Sequence, residues 1–126
     1  MRLLVVKYEH KFFIAKRGKR MKTVTICGSM KFEREMQKIS FVLEAKQGYN
    51  VLQCVYNTDN IEILPDDIRR LEAAHFKKIE MSDAVYIVDI DGYIGEQVKK
   101  EIEYARSIGK EIIYHSVQEK KYDYSS

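Results

Sequence analysis

Glu101 stands where a helix would be expected to place a hydrophobic residue. Val98, Ile102, Ala105 and Ile108 recur at three- and four-residue steps, and Glu101 falls inside that stripe, three after Val98 and four before Ala105. A carboxylate turned toward a core costs free energy unless it is paired or put to use. Either it is functional, or it flanks the stripe in a salt bridge, because such stripes are wide. His75 repeats the pattern. It lies four after Leu71 and four before Ile79, on a stripe that begins at Ile68. A lone helix histidine is usually a satisfied structural residue, though its position on the stripe also makes it a candidate site residue.

Weaker signals cluster at the ends of apolar runs. Gly28-Ser29 follows "KTVTIC" and precedes a helical pattern. Backbone N–H groups at such a junction favour an anion such as phosphate, and a plain strand-to-helix turn uses the same residues. Asp89 and Asp91 close the run "DAVYIVDI", where they either bind ribose hydroxyls or shape the turn. Tyr93 and Gly95 follow in "GYIGE"; glycine lets a ligand approach the backbone, and Tyr93 either stacks on a sugar or base or lies on the surface. Neither GxGxxG nor GxxxxGK(S/T) occurs, so no cofactor is expected. Cys27 and Cys54 form no disulfide framework, Cys54 reads as a small buried hydrophobe, and no cluster has metal-ligand spacing.

Alternating elements must position these groups. "KTVTICG" (22–28), "YNVLQCVY" (49–56), "DAVYIVDI" (83–90) and "KEIIYHS" (110–116) read as strands. Phe32, Met36, Ile39 and Leu43 mark a helix closed by Gly48. Pro65-Asp66-Asp67 opens a second helix that runs to about Met81, because proline pre-sets φ and acids suit the positive end of the dipole. A third helix follows Gly95. The order predicts an α/β three-layer sandwich of the flavodoxin or Rossmann-like kind, with a parallel sheet in the order 2-1-3-4. Ligands in such sheets bind beyond the carboxyl ends of the strands at the switch point. That rule gathers Cys27-Gly28-Ser29, Tyr56-Asn57 and Asp89 to Glu96 around one crevice.

A chain of 126 residues, 45% hydrophobic and 33% charged, suits one soluble domain. No apolar run approaches the roughly 20 residues needed to cross a membrane, and the N-terminus lacks a signal-peptide pattern, so a cytoplasmic location is expected. Residues 1–20 hold seven Lys and Arg against one Glu, while the remainder holds 15 basic and 18 acidic residues. The basic leader reads as a β-hairpin extension before a single domain over 21–126, and Met21 itself resembles a natural start. A solvated charge cluster is the ordinary reading of the leader; binding of nucleic acid through it is the less favoured one.

The segments "TVTICGS", "SDAVYIVDI", the glycine loop and "EIEYARSIGKEIIYH", taken in order, resemble the nucleoside 2-deoxyribosyltransferase-like superfamily, which includes the 2'-deoxynucleoside 5'-phosphate N-hydrolases. The last segment is similar to the family's Glu-(Ile/Leu)-x-x-Ala-x-x-x-x-Lys block, and the likeness covers residues 22–115. It implies that Glu101 is a nucleophile toward the anomeric carbon of a nucleoside or its 5'-monophosphate. It also implies that the turns around Gly28-Ser29 and Asp89 to Gly95 hold the sugar and any phosphate. The chain departs from the family at Thr25, where a tyrosine is usual, and at His75, where an aspartate is usual; either His75 replaces that acid as a general acid, or the glycosidic chemistry is altered or lost. The resemblance further implies a homodimer or larger assembly, to which Tyr122 and Tyr124 can contribute. The alternative is a non-catalytic nucleotide-binding or sensor module of the same fold.

Overall fold

The computed structural model describes residues 20–120. The expected hairpin over residues 1–20, apart from Arg20, lies outside the described residues, as do Tyr122 and Tyr124. Four parallel strands form the sheet: β1 (Thr23–Gly28), β2 (Asn50–Leu52), β3 (Ala84–Val88) and β4 (Glu111–Tyr114), in the order β2-β1-β3-β4. This is the predicted 2-1-3-4 arrangement. Every residue of β3 is buried, as its unbroken apolar run requires when helices cover both faces.

Alternate residues of β1 divide between two cores. Val24 and Ile26 pack with Met36, Ile39 and Leu43 of α1 (Glu33–Ala45). Cys27 points to the other face, where it joins Ile79 of α2 (Pro65–Glu80) and Val98, Ile102 and Ala105 of α3 (Glu96–Ser107). A short helix, α4 (His115–Gln118), follows β4 directly and takes in His115 and Ser116, which the sequence pattern places in the last strand. Its buried His115 meets the Tyr86 hydroxyl through Nδ1 at 2.8 Å. At the amino ends of the strands, Asp83 accepts hydrogen bonds from the Thr23 amide (2.8 Å) and from Arg20 (2.6 Å). These bonds, the backbone one first, hold its carboxyl below the usual range.

Two elements depart from the sequence pattern. The run 49–56 forms only a three-residue strand at the sheet edge; Gln53 to Tyr56 turn away over the carboxyl end of the sheet. Cys54 is therefore half-buried in a loop rather than packed in a strand. In α2 the stripe is buried only at its end. Ile79 is fully covered, while Ile68 and Leu71 remain 48% and 44% exposed, and Leu71 lines two cavities. Asp67 accepts from the Leu64 amide at 2.9 Å and fixes the helix start there. No helix among the described residues is long and apolar enough to cross a membrane.

Candidate active site

Glu101 lies on the second turn of α3, with Val98 and Ile102 of the same face buried against the sheet. The residue keeps only 7% of its surface exposed. Its Oε1 lies 3.3 Å from His75 Nε2, and that same nitrogen lies 3.4 Å from Cys27 Sγ. The three donors come from α3, α2 and the end of β1, and all fall within 4.8 Å of one another. Spacing along the chain showed no such set; the fold assembles it from positions 27, 75 and 101.

The α2–α3 contact sets this geometry. Phe76, next to His75, packs edge-on against Tyr104, three residues after Glu101, with ring centroids 4.9 Å apart. The Tyr104 hydroxyl donates to Glu80 at 2.5 Å. Both contacts sit one helical step beyond the His75–Glu101 pair and hold the two helices in register.

His75 and Glu101 open into a cavity of about 390 Å³ beside the carboxyl end of β1, while Cys27 is buried and is not among its lining residues. That volume falls within the roughly 300–1,000 Å³ of small-molecule sites. Gly28, Ser29, Cys54, His75, Gly95 and Glu101 are among its walls, with Met30, Leu71, Glu72, Glu96 and Gln97. Three carboxylates therefore line it, and no Lys or Arg is among the lining residues. Two chain starts also face it: the short 3-10 turn Met30–Phe32, capped by Ser29 Oγ on the Lys31 amide at 3.3 Å, and the first turn of α3 after Gly95.

Electrostatics make Cys27 a neutral donor. Burial first, then the Glu101 charge and a hydrogen bond to it, push the thiol well above its ordinary value. The S–H and the imidazole N–H thus serve the carboxylate, and the sulfur is no thiolate nucleophile at neutral pH. Burial likewise raises Cys54, opposed by a hydrogen bond from Tyr56 and by Lys78. The Tyr56 hydroxyl is raised by burial and by its neighbour Cys54.

Other candidate residues fall elsewhere. Asp89 is buried but spent: its two oxygens accept from the amide and hydroxyl of Ser116 at 2.8 and 2.7 Å, which ties β3 to α4. Asp91 is exposed in the following turn, with a left-handed φ of 53°. Neither is among the residues lining the cavity, and their placement matches the turn-shaping alternative. Tyr93 is 44% exposed, packs edge-on against Phe32 and carries Lys31 Nζ over its ring at 3.3 Å. It also closes over Gly95, where an added Cβ would stand 3.6 Å from its hydroxyl. Tyr56 and Asn57 line a neighbouring cavity of about 370 Å³ with Ile61 and Ile63, separated from the first by Leu71.

Thr25, at the position where the resemblance expects a tyrosine near the nucleophile, is fully buried. Its hydroxyl is bonded to the Lys78 carbonyl (3.0 Å) and to Ser82 Oγ (2.5 Å). Cys27, two residues on and on the same strand face, is the β1 group beside Glu101. Strand alternation predicts that Thr25 and Cys27 share a face; what it lacks is the height of α3 against the strand, which decides which of the two meets the carboxylate. No protein-family model, curated protein or solved structure matches the chain.

Proposed function

We propose that the protein cleaves or transfers the N-glycosidic bond of a (deoxy)nucleoside or its 5'-monophosphate, with Glu101 as nucleophile. The observation that carries this reading is the placement of the Glu101 carboxylate: buried on a core stripe, held by His75, and facing a cavity large enough for a nucleoside. The chemistry follows the retaining pattern. A Glu101 oxygen attacks the anomeric carbon, the C1'–N bond breaks, and its electron pair leaves on the base. Protonated His75 supplies the proton that neutralises the departing base. Water then attacks the glycosyl ester, gives its proton back to His75 and restores the carboxylate; a second base in place of water completes a transfer.

The walls bear on the substrate. With three carboxylates and no Lys or Arg on the lining, an uncharged nucleoside is favoured over a phosphorylated one; a 5'-phosphate would depend on the backbone N–H groups at Met30 and at the start of α3. Two free cysteines suit a reducing cytoplasm. A homodimer would cover Ile61, Ile63, Leu64 and Ile68, each of which is exposed.

Incubation with a panel of deoxynucleosides, ribonucleosides and their 5'-monophosphates should release free base, measured by chromatography. Glu101→Ala should reduce release to background. His75→Ala should cost about 10²–10⁴-fold, the usual contribution of a general acid. Binding of a nucleotide without turnover, seen as a thermal shift, would favour the sensor reading. No release across the panel would overturn the enzymatic one.

A further inference from the structure

We propose that Cys27, His75 and Glu101 form a zinc-binding site whose fourth coordination position opens into the cavity. The donor spacing carries the argument. Tetrahedral zinc, with bonds of about 2.3 Å to sulfur and about 2.0 Å to nitrogen and oxygen, sets its S and N donors about 3.6 Å apart and its N and O donors about 3.3 Å apart. Here the sulfur and nitrogen are 3.4 Å apart and the nitrogen and oxygen 3.3 Å. All three donor atoms lie within 4.8 Å of one another, within reach of a single ion.

The surroundings fit a cation. Glu72 and Glu96 add negative charge to the same cavity, and no lysine or arginine is among its lining residues. Three protein ligands with one side open is the arrangement of catalytic rather than structural zinc. The donor set of thiolate, imidazole and carboxylate favours zinc over magnesium or calcium, which prefer oxygen alone. Cys54, the second of the chain's two cysteines, lines the same cavity. On binding, the Cys27 thiol proton leaves to solvent and the sulfur, the Nε2 lone pair and a Glu101 oxygen each donate to the ion.

The site does not rest on the glycosyl reading. Where both hold, zinc and turnover exclude each other, because the ion takes the Glu101 electron pair that would attack the anomeric carbon and takes the imidazole that would protonate the base. The metal then acts as an inhibitor of the same centre.

The test is titration of the untagged, chelator-stripped full chain with zinc by calorimetry, and with cobalt(II) by absorption spectroscopy. The expected result is one ion per chain, with cobalt showing tetrahedral d–d bands and a thiolate charge-transfer band. Cys27→Ser, a near-isosteric change whose folding circular dichroism verifies, should remove the charge-transfer band. Cys27→Ser, His75→Ala and Glu101→Gln should each weaken zinc by about 10²-fold or more, at least the loss seen on removing groups that merely support a ligand. Absence of stoichiometric zinc binding by the wild-type chain overturns the proposal, and so does binding that all three substitutions leave unchanged. Base release in chelator without zinc binding would sink the metal site and leave the Glu101 chemistry standing; zinc binding without base release would do the reverse.

Discussion

At the scale of single residues, Glu101 is a local cost accepted for its position. Its neighbours on the helix face, Val98, Ile102 and Ala105, are buried in the second core, and the carboxylate is carried in with them. Replacing a buried charged group by a hydrophobe of similar volume is often stabilising, and removing this one leaves only the Cys27 thiol and the His75 imidazole beside the gap. Glu101→Leu should therefore raise stability by about 1–2 kcal/mol in urea unfolding while abolishing base release; a stability loss would mean that the carboxylate holds the fold. The sequence made Glu101 and His75 visible because each breaks an apolar stripe. Cys27 was invisible because it satisfies its stripe: a small thiol in a buried strand looks like packing until its neighbours are known. Asp89 misleads in the opposite way. An aspartate at a strand's carboxyl end suits a ribose, and only the turn into α4, which brings Ser116 over it, shows where its oxygens go.

At the scale of elements, the site depends on how β1 hands over to α1 and how α2 lies on α3. Gly28 ends β1 under Met36: a Cβ there would stand 2.7 Å from Met36 Sδ and 3.1 Å from Val88 Cβ. Gly28→Ala should cost about 1–3 kcal/mol, and pairing it with Met36→Ala should cost less than the two changes summed, since the added methyl occupies space the methionine vacates. Additivity in a double-mutant cycle would show that the close approach to Met36 is not the cause. Phe76 acts on chemistry through register. Phe76→Ala removes the edge-on contact with Tyr104, at a cost of about 3 kcal/mol, and the remaining folded protein should show lower kcat because His75 no longer stands beside Glu101; an unchanged kcat would separate the helix contact from the site. Strand and helix order was legible because period-two and helical patterns alternate cleanly. The length of β2 and the burial of α2 were not, because an edge strand and a helix whose stripe lines cavities share the apolar composition of fully packed ones.

At the scale of the whole molecule, the strand order 2-1-3-4 puts a switch point beside β1, and the site lies at the carboxyl end of that strand. The far side of β3 is closed by α4 through His115, whose burial lowers its proton affinity below the ordinary 6.5, opposed by Glu119 and Asp89. The folded state then binds this proton less well than the unfolded chain. Its stabilising share is complete above about pH 6.5 and is lost as pH falls through that value toward the folded pKa, with a slope of at most about 1.4 kcal/mol per pH unit. Urea unfolding at a series of pH values should show that slope, and His115→Gln should flatten it; an identical slope in the variant would assign the effect to another group. The exposed side chains of Ile61, Ile63 and Ile68 belong to this scale too. Sedimentation should show a dimer that Ile68→Glu dissociates, and a monomeric wild-type chain would remove the assembly from the account.

The central claim is that a Glu101 oxygen bonds to a sugar carbon. A 2'-fluoro-2'-deoxynucleoside of whichever base is released fastest would slow the second step and trap the ester, and mass spectrometry of the digested protein locates it. The account predicts one glycosyl adduct on the peptide carrying Glu101, absent after Glu101→Ala. Base release that persists in Glu101→Ala, or an adduct on another residue, would contradict it.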